Sequence, residues 1–304
     1  MTSLGDAREL ARYQDQPRQL RAGTPGKRPH LSLRFERRAG RSVLADVAHR
    51  APLLAQPALY WDEGMPDLPC VFIVSTSGGI LQGDRASIEI ELGPGASAHV
   101  TTQAATKIHA MDANFATQSQ EIALGEGAYL EYLPDVVIPF RHARFLSRTR
   151  IRVDPTAALL YAEVVLPGRT HHAGGEAVAY DVFSSTVRAE RPDGAELFTD
   201  TFVIEPGAAD VRQVGIMSGF DVFANALFLA PAAVAGRVFA EVPAVVDEAN
   251  GWAAAASRLP GGAGLIYRVL GAGSEPVRHR VREFWSLVRR EVAGASLSST
   301  LRWR

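Results

Sequence analysis

A strand–turn–strand unit that recurs about every thirty residues is the feature of this sequence that most constrains its fold. The three copies occupy residues 88–100, 122–132 and 151–161. Their tight turns contain either glycines or an Asp-Pro pair, and lie at residues 93–95, 125–127 and 154–156. One such unit cannot bury its apolar side alone, so the fixed period predicts stacked β-units that share a core. The alternative is that Gly-x-Gly turns recur by chance, as they do in β-rich proteins generally.

Further strands are predicted on both sides of this repeat. Leu31, Leu33 and Phe35 alternate with polar neighbours, which is typical of a half-buried strand. Residues 69–74 form an apolar run around Cys70, as expected for a buried strand, and a fourth hairpin is predicted over residues 185–204. The fold class is therefore predicted to be mainly β, a solenoid-like body of layered strands and hairpins.

Two or three helices are predicted, mostly toward the C-terminus. Residues 230–241 and 248–259 are alanine-rich at helical length, with a strand expected at residues 264–270. The strongest helical pattern covers residues 275–292, with a stop at Gly294. Its apolar residues recur at three- and four-residue spacing, with arginines expected on the opposite, solvated face: Val277, Val281, Phe284, Trp285 and Val288 against Arg278, Arg282 and Arg289.

Composition is that of an ordinary globular protein. Of the 304 residues, 47 % are hydrophobic and 21 % charged, and the formal net charge is −1, which gives no overall attraction to nucleic acid or anionic lipid. Residues 1–29 lack apolar periodicity and predict a poorly ordered N-terminal arm, which leaves residues 30–304 as a single domain. Because neither a secretory signal nor an apolar membrane span is recognisable, the expected location is cytoplasmic.

Catalytic motifs are weak in this chain. Gly78-Gly79-x-x-x-Gly83-Asp84 lacks the Gly-Lys-Ser/Thr ending of a nucleotide-binding P-loop, so a strained turn between two strands is the favoured interpretation. Serines and histidines are plentiful, but none lies in a Gly-x-Ser-x-Gly nucleophile elbow. Cys70 is the only cysteine, which excludes an intramolecular disulfide and a thiolate zinc site within one chain.

Metal binding has a somewhat better basis. His171-His172 is an adjacent pair with Glu163 and Glu176 on either side in the sequence, and imidazole and carboxylate groups suit nickel. His-x₃-His spacing is absent, so the pattern favours weak or transient binding, with a solvated loop pair as the alternative. Glu131 and Asp135 bracket a proline, which favours an exposed turn over paired acid–base groups.

Several segments, in this order and spacing, resemble the urease accessory protein UreD (UreH) family. They span roughly residues 30–304 and are Gly78-Gly79-x-x-x-Gly83-Asp84, residues 101–108, residues 131–140, Gly168-Arg169, Gly175-Glu176, residues 284–289 and Leu301-Arg302-Trp303. Two positions depart from the family pattern: His109-Ala110 stands where an aromatic–Arg pair is usual, and Val136 where proline or threonine is common. These departures weaken the transfer of individual partner contacts.

The resemblance implies a non-catalytic scaffold on a β-rich fold with layered strands. It implies a complex with the accessory protein UreF and the GTPase UreG, which docks on apo-urease and delivers nickel through an internal passage. No tightly bound cofactor is then expected, only nickel in transit. The candidate residues for this passage are Asp84, Glu131, Glu163, His171 and Glu176.

Two other classes remain open from the residues alone. One is a small-molecule hydrolase on a β-scaffold, and the other is a free-standing metal-storage protein. For each candidate residue, the alternative is an ordinary solvated or salt-bridged side chain.

Overall fold

The computed structural model describes residues 4–15, 27–172 and 174–298. β-Strands are the main secondary structure of the described chain, with two α-helices late in the sequence. The strands are β1 (His30–Arg38), β2 (Arg41–Arg50), β3 (Leu53–Ala55), β4 (Cys70–Ser75), β5 (Arg85–Leu92), β6 (Ser97–Thr102), β7 (Thr106–Ile108), β8 (Ala116–Leu124), β9 (Tyr129–Tyr132), β10 (Val137–Pro139), β11 (Arg144–Val153), β12 (Ala158–Val165), β13 (Val182–Glu190), β14 (Glu196–Ile204), β15 (Val222–Leu229), β16 (Val245–Asp247), β17 (Trp252–Arg258) and β18 (Gly264–Gly271). The helices are α1 (Ala232–Ala240) and α2 (Ser274–Ala293), and short 3₁₀ helices cover Leu4–Asp6, Arg8–Tyr13 and Pro260–Gly262.

The strands form two sheets. The first sheet has seven strands in the order β14-β13-β11-β8-β5-β1-β2. The second has eleven, with the main order β16-β17-β18-β15-β12-β9-β6-β4-β3 and with β7 and β10 attached beside β12. Their inner faces pack on each other through one apolar core, in which Leu31, Leu33 and Phe35 are fully buried. The predicted mainly β, layered fold is therefore confirmed.

The predicted stacking of the repeat is also confirmed. In the first sheet β5, β8 and β11 are parallel, and Ile90, Ile122 and Ile151 occupy one row of the register. In the second sheet β6, β9 and β12 are parallel, and Val100, Tyr132 and Tyr161 are aligned in the same way. Equivalent positions of successive units therefore lie side by side, as a stacked β-body requires.

The three repeat units are not hairpins, which corrects one detail of the sequence interpretation. The two strands of each unit belong to different sheets, because the turns at residues 93–95, 125–127 and 154–156 carry the chain across the core. The apolar sides of the two strands then face each other between the sheets instead of pairing edge to edge. The fourth unit, β13 with β14, is an antiparallel hairpin as predicted.

Two of the three predicted helices are present, α1 and α2, and both cover the outer face of the second sheet. α1 and α2 match the patterns at residues 230–241 and 275–292, and α2 ends at Gly294 in the left-handed conformation (φ 63°). The helix predicted over residues 248–259 is wrong, since this segment contains β17, which pairs with β16 and β18. The helical preference of its alanines is outweighed there by backbone pairing at the edge of the sheet.

The N-terminal segment lies partly against the first sheet. Leu10 is fully buried among Phe115, Leu146 and Val182, and the guanidinium of Arg144 lies 4.5 Å from the centre of the Tyr13 ring. Most of the remaining predicted arm, and the Leu301-Arg302-Trp303 segment, fall outside the described residues, so the division into arm and domain stays a prediction. Neither α-helix in the described ranges has the length and apolar character needed to cross a membrane.

Candidate functional site

A cavity of about 180 Å³ lies between the two sheets, at the end where β4 leads into β5. Its walls combine inward-facing side chains of both sheets with the loops that follow β4 and β6. Its apolar lining includes Ile73 of the second sheet and Ile88 and Phe183 of the first. Its polar lining includes Asp84, Gln118, Gln120, Tyr132, Asp135, Ser147, Tyr161 and Glu163.

The glycine-rich segment at residues 78–84 forms part of the cavity wall. It joins two strands, as predicted, and β5 follows it where a phosphate-binding loop would need a helix. Gly79 is required there, because a Cβ atom at this position would lie 2.5 Å from the carbonyl oxygen of Lys107. The buried carboxylate of Asp84 holds the turn by accepting hydrogen bonds from the backbone N–H groups of Lys27 (3.0 Å) and Leu81 (2.9 Å).

A buried polar bridge crosses the space between the sheets deeper inside. The Tyr132 hydroxyl donates to Gln120 Oε1 at 2.7 Å, and Gln120 Nε2 donates to the oxygens of Thr149 (2.8 Å) and Tyr161 (3.2 Å). Burial raises the pKa values of the Tyr132 and Tyr161 hydroxyls above their usual range. The bridge is therefore made of neutral groups that act as hydrogen-bond donors and acceptors.

Glu163 lies where this cavity meets a second, smaller one of about 20 Å³. Tyr161 and Glu163 line both. The Ser185 hydroxyl donates to Glu163 Oε2 at 2.9 Å. Burial raises the pKa of Glu163, and the charge of Asp200, which also lines the smaller cavity, raises it further.

Ser147 is the least satisfied polar group of the larger cavity. Its side chain is 2 % exposed, and within the described chain its Oγ atom has no hydrogen-bond partner. A buried polar group without a protein partner is costly and is commonly solvated by an internal water or ion. The cavity therefore contains polar groups that can accept solvent, within a lining that is otherwise largely apolar.

Glu131 lies on the opposite face of the second sheet, under α2. It is fully buried and accepts hydrogen bonds from Arg289 (2.8 and 2.5 Å), Tyr129 (2.7 Å) and His99 (3.0 Å), while Arg289 also pairs with buried Asp62. Burial would raise the pKa of Glu131, but the hydrogen bonds from His99 and Arg289 outweigh it and lower the pKa to about 2. Glu131 is thus a charged partner in a buried ion cluster, and the exposed turn expected around it is wrong.

Glu176 and His171 lie on a loop between β12 and β13. Arg169 binds both carboxylate oxygens of Glu176, at 2.7 and 2.6 Å, and its guanidinium lies 4.1 Å from the centre of the Phe140 ring. These hydrogen bonds from Arg169 hold the pKa of Glu176 below its usual value. His171 is exposed. Arg169 therefore joins Phe140 and Glu176, which come from separate segments of the sequence, in one local contact.

Of the five candidate residues, the structure brings Asp84 and Glu163 to the cavity and places Glu131, His171 and Glu176 elsewhere. Among the residues at 4–15, 27–172 and 174–298, no group of three or more His, Cys, Asp or Glu side chains is arranged to hold a metal ion. A cation in the cavity would meet single carboxylates, hydroxyls and amides in succession.

Two sets of residues were missed by the sequence interpretation. Gln118 and Gln120 lie in phase with core residues Ile122 and Leu124 of β8, so a polar pair at inward positions was the available signal. Arg289 was placed on the solvated face of its helix, yet it is fully buried. Its spacing of four from Trp285 was the signal, because it puts Arg289 at the edge of the apolar stripe.

Comparison with known proteins agrees with the sequence motifs. The family model for the UreD urease accessory protein matches residues 27–304. "Urease accessory protein UreD 2" of Brucella suis biovar 1 is 52 % identical over 300 residues, covering 99 % of each chain. "Urease accessory protein UreD" of Yersinia enterocolitica is 46 % identical over 305 residues, covering 98 % of this chain and 93 % of the relative. The chain therefore belongs to the UreD family of urease accessory proteins.

Proposed function

We propose that this chain is a non-catalytic scaffold for urease maturation, and that nickel on its way to apo-urease passes through the cavity between its two sheets. The observation that carries the proposal is the cavity itself, because several inward-facing polar side chains line it inside an apolar core, and because Tyr161 and Glu163 separate it from the second cavity. A core that only had to be stable would be filled with apolar side chains at this place.

The ligand chemistry of the cavity suits a carrier. Carboxylate, hydroxyl and amide oxygens bind a divalent cation individually and weakly, whereas clustered thiolates or three histidines would trap it. Asp84, Asp135 and Glu163 lie along the described wall, which contains no histidine or cysteine in either cavity. Nickel is therefore expected to bind transiently, as cargo.

The partners in this proposal are UreF, the GTPase UreG and the subunits of apo-urease. The support is that the relatives matching nearly the full length of this chain are named as urease accessory proteins. In this scheme the chain works in the cytoplasm, and the GTPase supplies the nucleotide chemistry, because residues 78–84 do not have the Gly-Lys-Ser/Thr ending of a P-loop.

A hydrolase is the weaker candidate. In the described part of the larger cavity, Ser147 has no base beside it, and its Oγ atom has no hydrogen-bond partner. A serine nucleophile needs an adjacent general base within hydrogen-bond reach. The site also offers no oriented histidine, because no histidine lines either cavity among the described residues.

The proposal is tested by plugging the cavity. Ser147→Phe fills it without removing a hydrogen bond, and Ser119→Phe adds the same bulk to the neighbouring strand β8 at a position outside the cavity. Co-expressed with the other accessory proteins and apo-urease, Ser147→Phe should assemble normally but leave urease with little nickel, while Ser119→Phe delivers it. Full nickel content with an assembled Ser147→Phe variant would contradict the proposal.

A further inference from the structure

We infer that the passage has a second mouth, at Asp200 and Arg268, and that Tyr161 and Glu163 form the partition that a cation must cross to reach it. This inference rests on the proposed function and assigns its exit route. It concerns the smaller cavity, which opens on the side of the molecule formed by β14, β15 and β18.

The partition follows from the two residues that both cavities share. Tyr161 and Glu163 are two positions apart on β12, so their side chains project from the same face of the strand. The larger cavity lies on one side of this pair and the smaller on the other. The Tyr161 hydroxyl is held by Gln120 from the opposite sheet, and Glu163 is held by Ser185. The barrier is therefore a pair of neighbouring side chains of the second sheet, each hydrogen-bonded to the first sheet.

The second mouth is closed by an ion pair at the surface. Asp200 lines the smaller cavity and accepts a hydrogen bond from Arg268 at 2.8 Å. The side chains are 29 % and 58 % exposed, respectively. Exposed ion pairs contribute little to stability because solvent screens them, so this closure opens at small cost. Asn225, half-buried beside them, completes the described rim.

Two carboxylates then follow each other along the exit. Glu163 stands at the partition and Asp200 at the mouth, and they are near enough for the charge of Asp200 to act on Glu163. A cation that leaves Glu163 exchanges one single-carboxylate site for the next. Displacement of Arg268 from Asp200 by the cation would open the mouth in the same step.

The experiment compares plugs in the two cavities. Ser147→Phe fills the larger cavity, and Asn225→Phe fills the smaller one between the partition and the mouth. Each variant is co-expressed with the accessory proteins and apo-urease, and complex assembly, melting temperature and urease nickel content are measured. Ser119→Phe is again the control for added bulk.

The inference predicts that Asn225→Phe abolishes nickel delivery as fully as Ser147→Phe, with assembly intact in both. If Ser147→Phe blocks delivery and an assembled Asn225→Phe variant does not, the second mouth is wrong and the proposed function stands. If neither plug blocks delivery, the proposed function itself is wrong. If Asn225→Phe does not fold, the double variant Asn225→Leu/Arg268→Trp replaces it. Unchanged nickel delivery by this double variant, once it is shown to be folded, overturns the inference.

Discussion

Arg289 of α2 binds both carboxylate oxygens of Glu131 in β9, and neither side chain is exposed to solvent. Arg289 also pairs with Asp62, whose side chain is equally buried, so one guanidinium joins the C-terminal helix, the second sheet and the loop before β4. The stacked imidazole of His99 and indole of Trp285, with centres 5.1 Å apart, complete the cluster. The helix is therefore fixed by charge as well as by its apolar stripe.

Arg289→Ala should lower the free energy of unfolding by roughly 3–5 kcal/mol, because it leaves two buried carboxylates without their cation. Urea denaturation of the purified chain measures this. The matched control is Arg290→Ala, one position along the same helix. Arg290 pairs with Glu241, where both side chains are about half exposed, and with Glu291, so its loss should cost far less than the loss of Arg289. Equal effects of the two substitutions would contradict the assignment.

The stacked β-body could be predicted from the sequence because the repeat, the turn residues and the alternation of apolar side chains all indicate the same structure. Leu31, Leu33 and Phe35 are buried as the pattern requires. The sequence could not show which strands pair, and so the units at residues 88–161 were interpreted as hairpins when they connect two sheets. Strand partners are set by contacts between distant residues, which local propensity does not encode.

The site was predicted less completely than the fold. Asp84 and Glu163 were identified as candidates, and both line the cavity. Glu131 was identified as well, but β9 turns it to the other face of the sheet, where it meets a cation 158 residues away in sequence. Gln120 and Arg289 were missed because their roles depend on partners from other strands and helices. The periodicity of a strand shows which face of the sheet a side chain occupies only when the limits of the strand are known.

Trp285→Ala should destabilise the chain by about 3–5 kcal/mol, because the indole is fully buried between α2 and the second sheet. Thermal unfolding and soluble yield give the measurement. Trp61, which is 52 % exposed, is the matched control, and Trp61→Ala should cost about 1 kcal/mol or less. An unchanged melting temperature for Trp285→Ala, together with lost urease activation, would instead make this helix a partner surface.

Gly168→Ala should disrupt the loop that carries Arg169 and Glu176. A Cβ atom on Gly168 would lie 2.0 Å from the Glu176 carbonyl oxygen, and the residue has φ 134°, which side chains rarely tolerate. We expect a loss of about 1–3 kcal/mol and faster proteolysis within residues 166–181. Gly207→Ala is the control, since its Cβ would meet nothing within 4 Å and its φ is unremarkable. Identical proteolysis of both variants would show that the close approach is not required.

The contribution of Glu131 to stability should disappear in acid. Its pKa is about 2 in the folded chain and close to the ordinary value of 4.5 when unfolded, so the unfolded state takes up the proton first as pH falls. The stabilisation is therefore fully present above about pH 4.5 and is lost progressively toward pH 2, with a total on the order of 3 kcal/mol.

Urea unfolding of the wild type and of Glu131→Gln at a series of pH values from 6 to 3 measures this loss of stabilisation. Other acidic groups with lowered pKa values, such as Glu176, are present in both proteins and cancel in the difference. The difference in unfolding free energy should shrink steadily below pH 4.5, and a difference that stays constant down to pH 3 would mean that Glu131 is not held as a charged group by Arg289.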